Sequence, residues 1–210
     1  MEQTLDQIFI KHETDKSSKS HNYSPYYEMF FAPYRNEPIT LLEIGVYAGA
    51  SMNAWKEYFP KANIYGADIS YHPELNQERV FMLEADQNKV EDMQRLGALN
   101  ADIVVEDAAH TSKLQISSFE TIFPMLKSGA LYVIEDLLCS YDSRWNEGAN
   151  VMDRIRQMVG EVQMNGHVDT NRLCSNKREN LERYPDKGSV FDRQIEWFFL
   201  ASGIIFIKKI

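Results

Sequence analysis

The feature that most constrains this chain is a regular alternation between residues 39 and 136. Short apolar runs take turns with amphipathic stretches of helical period. ITLLEIG (39–45), NIYGADI (63–69), RVFMLEAD (79–86), ADIVVED (101–107) and GALYVIED (129–136) read as buried strands. Between them SMNAWKEYF (51–59, closed by Pro60), residues 88–97 and residues 112–126 read as helices. Val90, Met93 and Leu96 mark the buried face of the second, and Leu114, Ile116, Phe119, Ile122 and Phe123 that of the third. Strands separated by helices predict a parallel sheet with right-handed crossovers, an α/β fold.

The flanks complete this pattern. Residues 1–12 read as a short amphipathic helix carrying Leu5, Ile8 and Phe9, and 13–24 as a polar loop. Ser24 before Pro25 predicts an N-cap and a helix over YYEMFF, broken between Pro33 and Pro38. One more amphipathic helix is expected over 149–162, then a polar, irregular insertion over 163–189. QIEWFFL, ASG and IIFIKKI predict an antiparallel hairpin closed by a three-residue turn. The expected division is a helical and loop cap over 1–38 and an α/β domain over 39–210.

With 210 residues, 44% hydrophobic and 25% charged, the chain can bury a core and is not globally disordered. Its net charge of −9 argues against nucleic acid as a partner. No apolar run is long enough for a membrane helix, and the N-terminus lacks the basic leader and apolar stretch of a secretory signal. Cys139 and Cys174 read as free thiols in a reducing compartment, so a cytoplasmic location is expected.

The residues with chemistry sit at the strand ends, where open α/β sheets bind ligands. LEIGVYAGAS places Glu43, Gly45 and Gly49 after the first strand. Two glycines spaced Gly-x-x-x-Gly lack the third glycine of a dinucleotide loop and suit a ligand without phosphates. Asp68 after the second strand can accept two ribose hydroxyls, and Asp86 after the third can meet an adenine amino group. Together they point to a nucleoside ligand.

This arrangement resembles a class I S-adenosylmethionine-dependent methyltransferase over roughly 39–136 and the closing hairpin. The resemblance implies a Rossmann-like, mostly parallel seven-stranded sheet with a C-terminal antiparallel hairpin. It implies that Glu43, Gly45, Tyr47, Gly49, Ser51, Asp68, Asp86, Gln87 and Asp107 bind S-adenosyl-L-methionine.

The fourth strand ends in Glu106, Asp107 and, beyond two alanines, His110; the fifth ends in Glu135 and Asp136. If these strands are neighbours, about 5 Å apart, their acids converge. Clustered carboxylates need protons, a basic side chain or a divalent cation, and all-oxygen ligation suits Mg2+. Helix capping would account for Asp107 or Asp136 singly, though not for the set. Imidazole titrates near neutrality, so His110 can take a proton from a hydroxyl.

The set Asp107, His110, Glu135 and Asp136, with Thr14-Asp15-Lys16, His21, Tyr23 and the YYE at 26–28, resembles the metal-dependent macrolide sugar O-methyltransferases of the mycinamicin and macrocin type. That resemblance implies Asp107, Glu135 and Asp136 as metal ligands, His110 as general base (Asp107 thus also catalytic), and a sugar hydroxyl as acceptor. The family commonly reads Asp-Asp-Gly-Ser-His where this chain has Glu-Asp-Ala-Ala-His. Residues 14–23 are expected to fold over the cofactor, and Tyr141 and Trp145 to offer aromatic faces to a sugar. Arg172, Lys177, Arg178 and Arg183 read as a charged excursion. The expected partner is a small-molecule acceptor, with no membrane and with a homo-oligomer left open. A catechol-like diol as acceptor, a nicotinamide-dependent oxidoreductase and a non-catalytic nucleoside-binding subunit are the alternatives.

Overall fold

A computed structural model describes residues 2–146, 148–164 and 194–210. In chain order the helices and strands are α1 (Leu5–Lys11), α2 (Ser24–Phe31), β1 (Thr40–Ile44), α3 (Ala50–Tyr58), β2 (Asn63–Asp68), β3 (Val80–Glu84), α4 (Val90–Gly97), β4 (Ile103–Glu106), α5 (Ser112–Ile122), β5 (Leu131–Ile134), α6 (Val151–Met164), β6 (Ile195–Ala201) and β7 (Ile204–Lys209). The seven strands form one sheet in the order β3-β2-β1-β4-β5-β7-β6. Strands β1 to β5 pair in parallel, and β7 is antiparallel to both β5 and β6. This is the α/β sheet with a closing hairpin that the alternation predicts. It makes β4 and β5 neighbours, with Glu106 level with Ile134.

Side chains alternate across the sheet, so each strand feeds two cores. Leu41, Val105, Leu131 and Val133 face one layer, together with Leu5, Ile8, Phe9, Tyr27, Phe31, Trp55 and Phe206. Leu42, Ile44, Val104, Tyr132 and Ile134 face the other, with Met93, Phe119, Phe123 and Ile155. Helices α1 and α2 pack into the same layer as α3. Each fully buried aliphatic or Phe side chain there contributes roughly 1.5–3 kcal/mol.

Local chemistry modifies four expectations. Ala201 pairs with Ile204, so the hairpin turn has two residues, Ser202 and Gly203, rather than three; Gly203 supplies the left-handed φ of 80° that so tight a turn requires. Ser24 does not cap α2; its hydroxyl donates to Asp6 Oδ1 at 2.6 Å and ties α2 to α1. Helix α5 ends at Ile122, and Phe123–Met125 continue as a 3-10 turn around Pro124, which cannot extend the helix. Val90, expected on the buried face of α4, stands exposed at its first position. Arg172, Cys174, Lys177, Arg178, Arg183 and most of the 163–189 insertion lie outside the described residues.

Candidate active site

All five parallel strands end on one side, and the loops after β1 to β4, with His12 to Lys16, line a cavity of 1080 Å³. Gly45 forms its floor at φ 92°, where a Cβ would stand 2.1 Å from the Asp107 carbonyl oxygen. Only a glycine lets the β1 and β4 ends approach this closely. Gly49 opens α3 at φ 81°, its Cβ position filled by Leu75. Asp68 folds back on the glycine loop: Oδ2 accepts from the backbone N–H of Val46 (2.8 Å) and Tyr47 (3.2 Å), and Oδ1 from that of Ser70 (3.0 Å). Burial opposes its ionisation, but these three amides prevail and hold its carboxyl below the usual range.

Gly45, Tyr47, Ser51, Asp68, Asp86, Gln87, Asp107 and His110 all line the cavity, as do His12 to Lys16 and Leu114. Tyr47 stands at φ 47° with its ring exposed. Gln87 is engaged inward: its amide nitrogen donates to Glu106 Oε1 (2.6 Å) and Ser118 Oγ (3.0 Å), and its oxygen accepts from Ala109 N–H (3.2 Å). Glu43 and Gly49 are not among the lining residues. Glu43 is fully buried, accepts from Trp55 Nε1 at 3.0 Å, and is pushed up to about 7 by burial. Glu106 is buried on the opposite face and pushed up to about 8 for the same reason.

The acids after β4 and β5 separate by sheet parity. Glu43, Asp107 and Glu135 continue the face of Leu41, Val105 and Val133, and one ammonium meets all three. Lys16, 1% exposed, bonds Asp107 Oδ2, donates to Glu135 Oε2 at 3.0 Å, and lies 3.5 Å from Glu43 Oε1. Burial alone would strip its proton, but Asp107, Glu135 and Glu43 outweigh it and hold its pKa well above the ordinary value. Glu135 takes a second hydrogen bond from the Tyr27 hydroxyl, so both its oxygens are engaged. Burial, and then the charge of Asp107, push its carboxyl well above the usual range.

Asp136 turns away from Glu135 on a left-handed backbone (φ 54°) and meets Asp107 across His110, which has the same φ. One oxygen of Asp107, one ring nitrogen of His110 and one oxygen of Asp136 lie within 4.8 Å of one another. His110 Nε2 is 3.6 Å from Asp136 Oδ2, and Nδ1 is 3.9 Å from Asp107 Oδ1. Neither carboxylate caps a helix: α5 begins behind Thr111, and Asp136 makes no side-chain cap bond. His110 Nδ1 is buried without a hydrogen-bond partner. Its ring meets Trp145 edge-on at 6.3 Å between centroids, whereas Tyr141 is exposed. The structure therefore brings together Asp107, His110 and Asp136, and turns Glu135 toward Lys16 and Tyr27.

Lys16, Tyr23 and Tyr27 stand in sequence motifs that name no partner for them. The signal available was strand parity: odd-numbered acids share a face with the buried face of α2. The polar loop is anchored to the fold by the buried residues Thr14, Lys16, Ser17, Tyr23 and Ser24. Tyr23 Oη donates to Asp136 Oδ1 at 2.9 Å, and His21 Nδ1 lies 3.4 Å from the same oxygen.

A cation fits this set. Two carboxylates each keep one oxygen clear of the N-terminal segment, aimed at a common point beside an unpartnered ring nitrogen. Mg2+ takes one or two carboxylates and completes its shell with water or substrate.

No protein-family model matches the chain. It is 34% identical over 146 residues to the mycinamicin VI 2''-O-methyltransferase of Micromonospora griseorubida, covering 65% of this chain and 37% of the relative. It is 38% identical over 143 residues to the 8-demethyl-8-alpha-L-rhamnosyl tetracenomycin-C 2'-O-methyltransferase of Streptomyces olivaceus, covering 64% of this chain and 38% of the relative. Its fold superposes with a TM-score of 0.85 on the MycE methyltransferase of the mycinamycin pathway solved with Mg and SAH, at 26% identity, over 100% of this chain and 55% of that one. The chain spans well under half the length of these two curated relatives. It has the class I methyltransferase fold and is a homologue of the natural-product sugar O-methyltransferases.

Proposed function

We propose that this chain carries out S-adenosylmethionine-dependent O-methylation of a sugar hydroxyl, assisted by a divalent cation such as Mg2+. The observation that carries this reading is the convergence of Asp107, His110 and Asp136 at the rim of the cavity behind the glycine loop. The relatives named above act on sugars of macrolide and tetracenomycin products.

In this reading Gly45 lets the cofactor approach the backbone, with Tyr47, Ser51, Asp68, Asp86 and Gln87 around it. Glu43 and Gly49 shape the loop from beneath. Asp107 and Asp136 would hold the cation through their free oxygens, while Glu135 backs Asp107 through Lys16. A bound Mg2+ would lower the pKa of an acceptor hydroxyl and fix its direction. His110, beside both carboxylates, receives the hydroxyl proton. Alignment of the acceptor oxygen with the methyl carbon and sulfur favours in-line displacement. The acceptor is a small molecule, and a cytoplasmic location accords with this role. Among the described residues no helix is long and apolar enough to cross a membrane.

The test is methyl transfer from labelled S-adenosylmethionine to a panel of deoxysugar glycosides and catechols, with and without EDTA. Glycoside methylation abolished by EDTA and restored by Mg2+ is the expected result. Turnover indifferent to chelation rejects the cation, and preference for catechols rejects the sugar.

A further inference from the structure

Resting on the cation reading above, we infer that Tyr23 is a positioning residue, which with Lys16 turns Asp136 and Asp107 so that each presents one chosen oxygen to the ion. A carboxylate has two equivalent oxygens, and rotation about its last bond exchanges them. Both acids have that freedom removed by the same N-terminal segment. Lys16 takes Asp107 Oδ2, and Oδ1 faces His110. Tyr23 Oη takes Asp136 Oδ1 at 2.9 Å, with His21 Nδ1 beside it at 3.4 Å, and Oδ2 faces His110.

The Tyr23 hydroxyl is itself fixed. The ring is buried, and Oη lies 3.3 Å from the Gly203 carbonyl oxygen in the β6–β7 turn. A Cβ on Gly203 would stand 2.5 Å from Oη, so the turn leaves room for this hydroxyl only because it carries a glycine there. Residues 14–24 thus form a clamp whose donors occupy the far oxygen of each acid. Partners that orient ligating groups are worth roughly 10–100-fold in metal affinity or activity. Tyr23 separates orientation from charge, because Tyr23→Phe removes a neutral donor and leaves every ionised group in place.

The experiment titrates the full chain, without cofactor or acceptor, with Mn2+ followed by electron paramagnetic resonance. Wild type, Tyr23→Phe and Gly203→Ala are compared, with thermal midpoints recorded without metal. Gly203→Ala keeps the tyrosine but crowds its hydroxyl, and it preserves the test if Tyr23→Phe does not fold. The expected result is about a 10-fold weaker Mn2+ affinity in each folded variant. Mn2+ affinity equal to wild type in the folded variants overturns the inference while leaving the cation reading intact. Absence of Mn2+ binding by the wild type overturns the cation reading itself, and this inference with it.

Discussion

The Lys16 ammonium donates to Glu135 Oε2 at 3.0 Å, joining a residue of the N-terminal loop to the end of β5 in a fully buried contact. Asp107 and Glu43 meet the same nitrogen, so one cation faces three carboxylates in an apolar layer. Stability and chemistry at this end of the sheet both depend on that balance.

Lys16→Met should therefore be costly. Breaking a buried pair leaves uncompensated charge, at about 3–5 kcal/mol. Urea unfolding at neutral pH measures it. Part of the loss should be recovered on acidification. Glu43 has its pKa raised by burial from 4.5 to about 7, so the native state binds more protons than the unfolded chain between those values. Its burial therefore costs stability as pH rises through that window, and the cost should grow once Lys16 no longer opposes the shift.

His110→Ala should lower kcat by about 10²- to 10⁴-fold, the usual worth of a general base, with a much smaller change in acceptor KM. Steady-state kinetics at saturating cofactor separate the two. Turnover within twofold of wild type would remove His110 from the proton transfer.

Asp136→Ala should weaken Mn2+ binding and sharply reduce turnover while leaving S-adenosylhomocysteine affinity close to wild type. Asp136 does not line the large cavity. Calorimetry with S-adenosylhomocysteine and, separately, Mn2+ resolves the two sites. Equal loss of both would mean that the substitution collapses the β5 loop.

Gly45→Ala should damage cofactor binding and stability together. The left-handed backbone alone costs an L-residue about 1–2 kcal/mol. The added Cβ, 2.1 Å from the Asp107 carbonyl oxygen, must also push the β4 loop aside. S-adenosylhomocysteine calorimetry and thermal unfolding should both report the loss.

Acid should release the N-terminal clamp. Asp6 accepts from Ser18 N–H (2.8 Å), Ser18 Oγ (2.7 Å) and Ser24 Oγ (2.6 Å). Burial opposes its ionisation, yet these bonds hold its carboxyl below the ordinary value. A depressed carboxylate stabilises the fold above its unfolded pKa, and that contribution disappears as pH falls through the folded pKa. The protection of the Ser18 amide against hydrogen exchange, relative to its intrinsic rate, should fall in that acidic window, and Asp6→Asn should bring the lower protection to neutral pH.

The order of strands and helices was legible because period 2 and period 3.6 are local properties of a chain. The same local signals placed Gly45, Asp68 and the acids after β4 and β5 at strand ends. They did not separate Glu135 from Asp136, since a backbone at φ 54° redirects Asp136 in a way that no hydropathy pattern records. Ser24 likewise read as a cap from its neighbour Pro25, and a carboxylate on another helix claimed its hydroxyl.

By itself, then, the sequence determined a parallel sheet and the acids gathered at the ends of its strands, because burial and backbone periodicity act between near neighbours. Only the tertiary structure decided which oxygens remain free. Lys16 lies 91 residues from Asp107, and Tyr23 lies 113 from Asp136. Pairings over such separations form only when α1 and α2 fold against the sheet, since a buried charge takes whichever counter-charge packing brings to it.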